Sequence, residues 1–332
     1  MTTSTNGAKV KVGLLAVGRA RPGFDPQWGE QVHAAAREAV AALPLAWTFP
    51  RAPAVDDASL RRAIEELSAA HCRGLVVVQP TMGDGRLIPL LAQLWPDPIV
   101  LWATGERQDS DRVSACTLVG THAFASYLRQ IGHSFEVVNG HPHQPGAMSQ
   151  LDLAVRLTTT RARLTHSKLG LVGTHAPGFL NMHVDPTMIQ TQLGPMVHHF
   201  GVQELIDAVH AIDRDAVAED RQSLDAMSWR KRDEIPDEAL IMTSRYTLAI
   251  RQMVDEQQLD AVAIRCWPEL PNVVGVWPYV AFARLGDEGL PLAMEGDLDG
   301  AITLLLGQCM GYGPGYLSDW LEHDEHTITL WH

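Results

Sequence analysis

Apolar strands and amphipathic helices alternate along most of the chain, and this alternation restricts the possible folds more than any other feature. The run GLVVVQ at residues 74–79 is almost wholly apolar, as in a strand that is buried on both faces of a parallel sheet. The segment before it, SLRRAIEELSAA at 59–70, places its apolar residues on one helical face. Repeated strand–helix–strand segments of this kind predict a doubly wound α/β fold.

The alternation occurs in two rounds, and each round predicts a Rossmann-like or flavodoxin-like domain with a parallel sheet. The first domain is expected to span residues 8–164, opening with the strand VKVGLLAV at 10–17. The second is expected to span residues 165–310, opening with KLGLVG at 168–173. Helical segments are expected to fill residues 186–257 of this second domain.

Residues 311–332 form the third predicted segment. Their sequence, which ends in YLSDWLEHDEHTITLWH, is typical of a loop followed by one strand. A strand without a neighbour cannot form a sheet by itself. We therefore expect this segment to be the start of a truncated β-rich C-terminal domain, and the sequence to be a fragment.

Composition excludes several classes of protein. The formal net charge of −13 argues against a nucleic-acid surface, which needs clustered Lys and Arg. No apolar run approaches the roughly 20 residues that cross a bilayer, and the polar start MTTSTNGAKVK is not a signal peptide. The four cysteines (Cys72, Cys116, Cys266, Cys309) are scattered, which favours buried, reduced thiols. We expect a cytoplasmic protein.

Polar residues follow several of the predicted strands, where parallel α/β sheets bind their ligands. The first such loop lacks the GxGxxG pattern, so a nicotinamide-dependent oxidoreductase is the least favoured class. No P-loop is present either. The candidates for binding in these loops are also compatible with structural roles, and they are Arg19, Gln79, His122, His175, Arg265 and Trp267.

Three carboxylates interrupt the apolar stretch LAMEGDLDGAITLLL at residues 292–306. Asp297 and Asp299 fall where a helix should begin, so both are expected to cap it or to favour its dipole. Glu295 lies too early to cap well, and its position leaves a functional role and a structural role equally open. Asp319, in GYLSDWLEH, is by position either a turn residue or a functional acid.

The segments AMEGDLDGAITLLLGQ and LSDWLEHDEHTITLWH resemble the L-fucose isomerase and L-arabinose isomerase superfamily. Its members have an EGD-x-x-GA segment at the end of the central domain, then an acid in a loop, then a strand that ends in His. The segments LGLVGTHAPGFLNMHVDP and AIRCWPELPN also resemble the family, and the resemblance extends from about residue 110 to 332. The separation of Glu295 and Asp319 resembles the fucose branch more than the arabinose branch.

This resemblance implies a ketol isomerase that interconverts an aldose and a ketose through an enediol, using Mn²⁺ or another divalent cation. It implies that Glu295 and Asp319 are both metal ligands and the acid/base pair, since a hard cation prefers oxygen ligands. It also implies a homo-oligomer of the trimer or hexamer type, whose first-domain loops serve a neighbouring copy. The family's C-terminal domain supplies a further histidine ligand that this sequence lacks. The implied substrate-binding residues are His332, Arg265, Trp267, Gln79 and His175.

A non-catalytic sugar-binding or regulatory protein with two α/β domains is the alternative. Such proteins rely on aromatic stacking platforms and polar clamps rather than on two converging acids. The presence of both Glu295 and Asp319 therefore favours the isomerase.

Overall fold

Parallel strands form the centre of each half of the chain, as a computed structural model shows, and the predicted α/β class is confirmed. The chain separates into two units, with the boundary between Arg163 and Leu164; we call them unit 1 and unit 2. Across the residues that the structure describes, no helix is long and apolar enough to cross a membrane. These residues are 10–18, 23–109, 113–229 and 231–332.

The sheet of unit 1 has five parallel strands in the order β2-β1-β3-β4-β5, which is the flavodoxin-like order. Its strands are β1 (Lys11–Ala16), β2 (Ala46–Thr48), β3 (Gly74–Gln79), β4 (Ile99–Ala103) and β5 (Phe135–Asn139). Its helices are α1 (Pro26–Ala41), α2 (Asp57–Ala69), α3 (Leu87–Leu94), α4 (Thr117–Gln130) and α5 (Pro145–Thr165).

Helices cover both faces of this sheet, because side chains alternate between the two faces of a strand. In β3, Leu75 and Val77 pack against α2, α3 and α4, whereas Val76 and Val78 pack towards α1 and α5. Every residue of β3 is buried. This double burial is why β3 has the continuous apolar sequence that predicts a central strand.

Helix α4 begins earlier than the sequence predicts. The segment VGTHAF, expected to be a loop, lies within α4, and His122 is exposed on that helix. The carboxylate of Glu106 accepts hydrogen bonds from the backbone N–H groups of Ser114 and Ala115 (2.8 and 2.9 Å), which form the turn leading into the helix. Burial opposes ionisation of Glu106, but these hydrogen bonds lower its pKa. Glu106 lies 11 residues before Thr117, the first residue of the helix. It is therefore too distant in sequence to be recognised from an N-cap pattern.

The sheet of unit 2 has four parallel strands in the order β7-β6-β8-β9. Its strands are β6 (Lys168–Val172), β7 (Met196–Phe200), β8 (Ala261–Ile264) and β9 (Leu292–Ala293). Its helices are α6 (Pro186–Leu193), α7 (Val202–Ala211), α8 (Arg214–Asp225), α9 (Asp237–Gln257), α10 (Glu269–Val274), α11 (Tyr279–Asp287) and α12 (Leu298–Cys309). The prediction that helices alone fill 186–257 is wrong, because β7 lies there at the sheet edge. Its sequence MVHHF is half exposed and lacks a clear alternation.

A buried ion pair joins α11 to α8 in this unit. The guanidinium of Arg284 donates two hydrogen bonds to the carboxylate of Asp220, at 2.8 and 2.9 Å. Both side chains are less than a tenth exposed, at 8% and 7%. Each charge is therefore balanced by the other within the helical layer.

The last two strands form an antiparallel hairpin, β10 (Asp319–His323) and β11 (Ile328–Trp331). The prediction of a loop followed by a single strand is therefore wrong, and Asp319 begins a strand paired with Trp331. The side chain of Asp324 accepts hydrogen bonds from the backbone N–H groups of His326 and Thr327, each at 2.7 Å. An Asp that bonds to the backbone ahead of it favours a tight turn, which closes this hairpin.

Candidate active site

Three loops meet at the carboxyl ends of β6, β8 and β9, the edge at which parallel α/β sheets bind ligands. The backbone N–H of Ala176, after β6, donates to the carbonyl of Glu295, after β9, at 2.7 Å. The indole N–H of Trp267, after β8, donates to Oε1 of Glu295 at 3.0 Å. Glu295 is thus bonded to the loops of both other strands.

Glu295 is buried and strained. Glu295 is only 7% exposed, and its backbone has a φ of 59°, in the left-handed region. That conformation costs a residue other than glycine about 1–2 kcal/mol. Backbone strain of this kind concentrates at functional sites, where the surroundings hold it in place. The geometry therefore favours the functional role over that of a helix-start acid.

The residues after Glu295 fix the turn that carries it. Gly296 also has a positive φ, of 72°, and a Cβ there would collide with the carbonyl oxygen of Thr174. Asp297 is the N-cap of α12, with Oδ1 accepting from the N–H of Gly300 at 2.8 Å. The expectation that Asp297 starts this helix is confirmed. Only glycine fits between the buried acid and the capping acid.

Cys266 and Tyr279 lie behind Glu295. The Cys266 sulfur accepts a hydrogen bond from the backbone N–H of Glu295 at 3.3 Å, and lies 3.7 Å from the Tyr279 hydroxyl. Burial raises the pKa of the Cys266 thiol. Burial, aided by the negative charges of Glu295 and Asp319, raises the pKa of Tyr279. Both groups therefore stay protonated at neutral pH.

The hairpin brings Asp319 and His332 towards the same tyrosine. The ring centroids of Tyr279 and His332 are 5.1 Å apart, in an edge-on contact. The charge of Asp319 acts on the Tyr279 hydroxyl, as does that of Glu295. His332 has a buried Nδ1 without a hydrogen-bond partner among the described residues, which is unusual for a buried nitrogen. Tyr279 is thus a common neighbour of Glu295, Asp319 and His332.

Arg265 and His175 lie in the loops of the same edge. Arg265 forms an ion pair with Glu269 at 2.5 Å and a long hydrogen bond to Thr174 at 3.4 Å. Nδ1 of His175 lies 3.0 Å from the carbonyl oxygen of Ala176. Both side chains therefore have partners within this edge of the sheet.

The remaining candidates belong to unit 1. Gln79 is fully buried at the end of β3, where its Oε1 accepts from the N–H of Gly83 at 2.9 Å. Its Nε2 is buried without a partner among the described residues. Arg19 lies outside the described residues. Unit 1 also has a cavity of about 530 Å³ beyond β4 and β5, with the rings of Trp28 and His141 in its wall.

The carboxylates of Glu295 and Asp319 are hard oxygen donors of the kind that Mn²⁺ and Mg²⁺ prefer. Within the described part of the chain, no three His, Cys, Asp or Glu side chains are arranged to hold a metal ion. The two acids therefore fit a divalent cation in their chemistry, but supply only part of a coordination shell.

Three residues near the candidate site were not predicted from the sequence: Tyr279, His183 and Glu269. Cys266 was expected to be an ordinary buried thiol. The rings of His175 and His183 are 6.1 Å apart. Cys266 directly follows Arg265 in a strand-exit loop, and that position was the one available signal. Tyr279 begins a helix, at a place where sequence gives no such signal.

The fold and site define a class: an α/β protein with parallel sheets and a buried acid at the carboxyl edge of one of them. The L-arabinose isomerase central domain family matches residues 183–313. Sulfoquinovose isomerase from Priestia aryabhattai is 24% identical over 256 residues, covering 76% of this chain and 57% of that protein. L-arabinose isomerase from Arthrobacter sp. (strain FB24) is 26% identical over 212 residues, covering 62% and 41%. These matches support the predicted resemblance to the L-arabinose and L-fucose isomerase superfamily.

The sequence matches cover only part of each relative, and the similarity to solved structures is weak. The aligned region spans little more than half of the sulfoquinovose isomerase, 57% of its length. Among solved structures, an ABC transporter solute binding protein from Bacillus halodurans with bound myo-inositol covers 92% of this chain and 91% of its own, at 10% identity. Its TM-score of 0.24 is too low to indicate a shared function.

Proposed function

We propose that this chain carries the site of an aldose–ketose isomerase, with Glu295 and Asp319 as the acid/base pair. One observation carries the proposal: Glu295 is a buried acid with a strained backbone at the carboxyl end of β9. It lies in the stretch that matches the L-arabinose isomerase central domain. The relatives whose sequences match are sugar isomerases by name, which supports a sugar as the substrate.

An aldose and a ketose differ in the positions of the carbonyl group and of one hydrogen on neighbouring carbons. A base removes the proton from the carbon beside the carbonyl to give an enediolate, the hydroxyl proton of that carbon passes to the former carbonyl oxygen, and an acid returns a proton to the former carbonyl carbon. Glu295 suits the first task, because the Trp267 N–H fixes one of its oxygens and leaves the other to the substrate. Asp319 handles the second proton. Tyr279 stays neutral beside them, since burial raises its pKa.

Glu295 and Asp319 would also hold a divalent cation, manganese or another, as the superfamily resemblance implies. Such a cation, when bound, supplies a Lewis acid that polarises the sugar carbonyl. Glu295 and Asp319 would be two of its ligands, and no third His, Cys, Asp or Glu among the described residues is arranged to complete such a group. His332, Arg265, Trp267 and His175 are proposed to contact the sugar hydroxyls.

We further propose that the protein works as a homo-oligomer of the trimer or hexamer type. The first-domain loops, such as the one that follows Gln79 at the end of β3, would then contribute to the pocket of a neighbouring copy. Sedimentation at two protein concentrations tests the assembly. A monomer at the concentration used for activity assays contradicts it.

Sugar binding without turnover is the second candidate, and one observation favours it. Aromatic rings surround the site: Phe179 and Trp267 are 6.3 Å apart edge-on, and Trp277 stacks on Tyr279 at 5.5 Å. Trp277 is 53% exposed, so one of its faces is available for stacking on a sugar.

The test is a coupled assay of aldose–ketose interconversion by the natural full-length protein, with and without Mn²⁺. The sugars are sulfoquinovose, L-arabinose and L-fucose. We expect turnover of at least one sugar, dependent on the cation. The variant Glu295→Gln keeps the shape of the side chain and should lower kcat by about 10²–10⁴-fold, the usual effect of a lost acid or base.

Glu288→Gln is the matched control, because Glu288 is an exposed acid of the same unit paired with Arg251. It should keep full activity. Full turnover by Glu295→Gln would refute the assignment of the acid. Sugar binding by calorimetry without any turnover would favour the second candidate instead.

A further inference from the structure

We propose that Tyr279, acting through Cys266, is a positioning residue that aligns Glu295 with the hairpin carrying Asp319 and His332. The inference deepens the proposed function and rests on it where turnover is concerned. Its structural part, the linkage of the turn to the hairpin, can be tested without any substrate.

The first half of the linkage runs from Tyr279 to Glu295. The Tyr279 hydroxyl lies 3.7 Å from the Cys266 sulfur, within hydrogen-bonding range for sulfur. The same sulfur accepts the backbone N–H of Glu295 at 3.3 Å. This N–H belongs to a residue in the left-handed conformation, so an acceptor at this point helps to hold an unfavourable backbone. Cys266 is fully buried, and water cannot take over the role of its sulfur.

The second half runs from Tyr279 to the hairpin. Its ring makes the edge-on contact with His332 at 5.1 Å. Every residue of β10 and β11 is exposed, so the strands themselves bury little surface. Leu317, just before the hairpin, packs against the cores of unit 2 and anchors its base. The ring of Tyr279 contacts the hairpin at this same base, because His332 directly follows Trp331, which pairs with Asp319 at the start of β10.

The tyrosine hydroxyl and the tyrosine ring have separate parts in this arrangement. The hydroxyl reaches the sulfur that holds Glu295, and the ring supports His332. Trp277 stacks on the same ring at 5.5 Å and Phe282 meets it edge-on at 6.3 Å, so the ring is held from two further sides. Removing only the hydroxyl should loosen Glu295 and leave the hairpin in place. Removing the ring should loosen both.

The experiment compares Tyr279→Phe and Tyr279→Leu with Tyr246→Phe in the full-length protein. Tyr246 is a fully buried tyrosine of the same unit whose hydroxyl donates to the carbonyl of Val276 at 3.3 Å. Labelling of Cys266 by a thiol reagent, read by peptide mass spectrometry, reports the turn. Hydrogen exchange of residues 319–331 reports the hairpin.

We expect Tyr279→Phe to raise the labelling rate of Cys266 by about ten-fold or more and to leave exchange of the hairpin unchanged. Tyr279→Leu should raise both. Tyr246→Phe should raise neither. In turnover, Tyr279→Phe should lower kcat by about ten-fold with KM changed less than about two-fold, because a small misplacement of a catalytic group slows the chemical step.

Two variants of Cys266 separate positioning from packing. Cys266→Ser keeps an acceptor for the Glu295 N–H and should retain kcat within about three-fold, whereas Cys266→Val lacks one and should lose about ten-fold or more. Equal loss in both variants overturns the proposal. Unchanged Cys266 labelling in Tyr279→Phe also overturns it, even in a protein that shows no isomerase activity. Absence of turnover with increased labelling refutes only the proposed function.

Discussion

Gly296→Ala should destabilise unit 2 strongly, because two independent effects act on one methyl group. A left-handed backbone, here with a φ of 72°, costs alanine about 1–2 kcal/mol. The added Cβ would collide with the carbonyl oxygen of Thr174, which is backbone and cannot rotate away. Overpacking of that kind costs about 1–3 kcal/mol. Together we expect unit 2 to lose roughly 2–5 kcal/mol of its free energy of unfolding.

Urea-dependent hydrogen exchange of the amides in β6 and β8 measures this free energy for unit 2 alone. Gly307→Ala is the matched control, since Gly307 lies inside α12 with nothing within 4 Å of its Cβ position. There alanine should stabilise by about 0.5–1 kcal/mol. If Gly296→Ala lies within about 0.5 kcal/mol of the parent, the turn is not sterically closed. The reasoning about how Glu295 is held would then be refuted.

Three further changes test other parts of the structure. Asp297→Ala removes the cap of α12 and should cost unit 2 about 0.5–2 kcal/mol in the same exchange experiment, whereas Asp299→Ala should cost under about 1. Arg284→Ala leaves its carboxylate partner buried and unpaired and should cost about 3–5 kcal/mol in that experiment, against less than about 1 for the exposed Arg251→Ala. Glu106 has a lowered pKa when folded, so its contribution is present above the ordinary carboxyl range near pH 4.3 and is lost as the pH falls through the folded value. Acid unfolding of unit 1, followed by circular dichroism, should therefore depend less steeply on pH in Glu106→Gln.

The α/β class could be predicted because buried parallel strands leave a continuous apolar signal, as β3 does. The strands that were missed lack that signal for physical reasons. β7 lies at the edge of its sheet and carries two histidines, so neither face is uniformly apolar. β10 is exposed along its whole length, and its acids are typical of a loop. Edge and hairpin strands are specified by turns and pairing partners, which a local apolar pattern does not record.

The candidate site also combines a residue that has a local sequence signal with residues whose roles depend on distant contacts. Glu295 stands out in sequence because it is an acid in an apolar stretch, but its burial and its strained backbone arise from bonds to loops far along the chain. Its contacts with Ala176 and Trp267 span 119 and 28 residues. Tyr279 carries no local signal at all, since its role depends on a sulfur 13 residues before it and on a hairpin that was not predicted. A residue that joins three elements becomes visible only when the fold has brought them together. The test of Tyr279→Phe therefore probes what the fold adds to the sequence: the placement of an acid that the sequence alone leaves open.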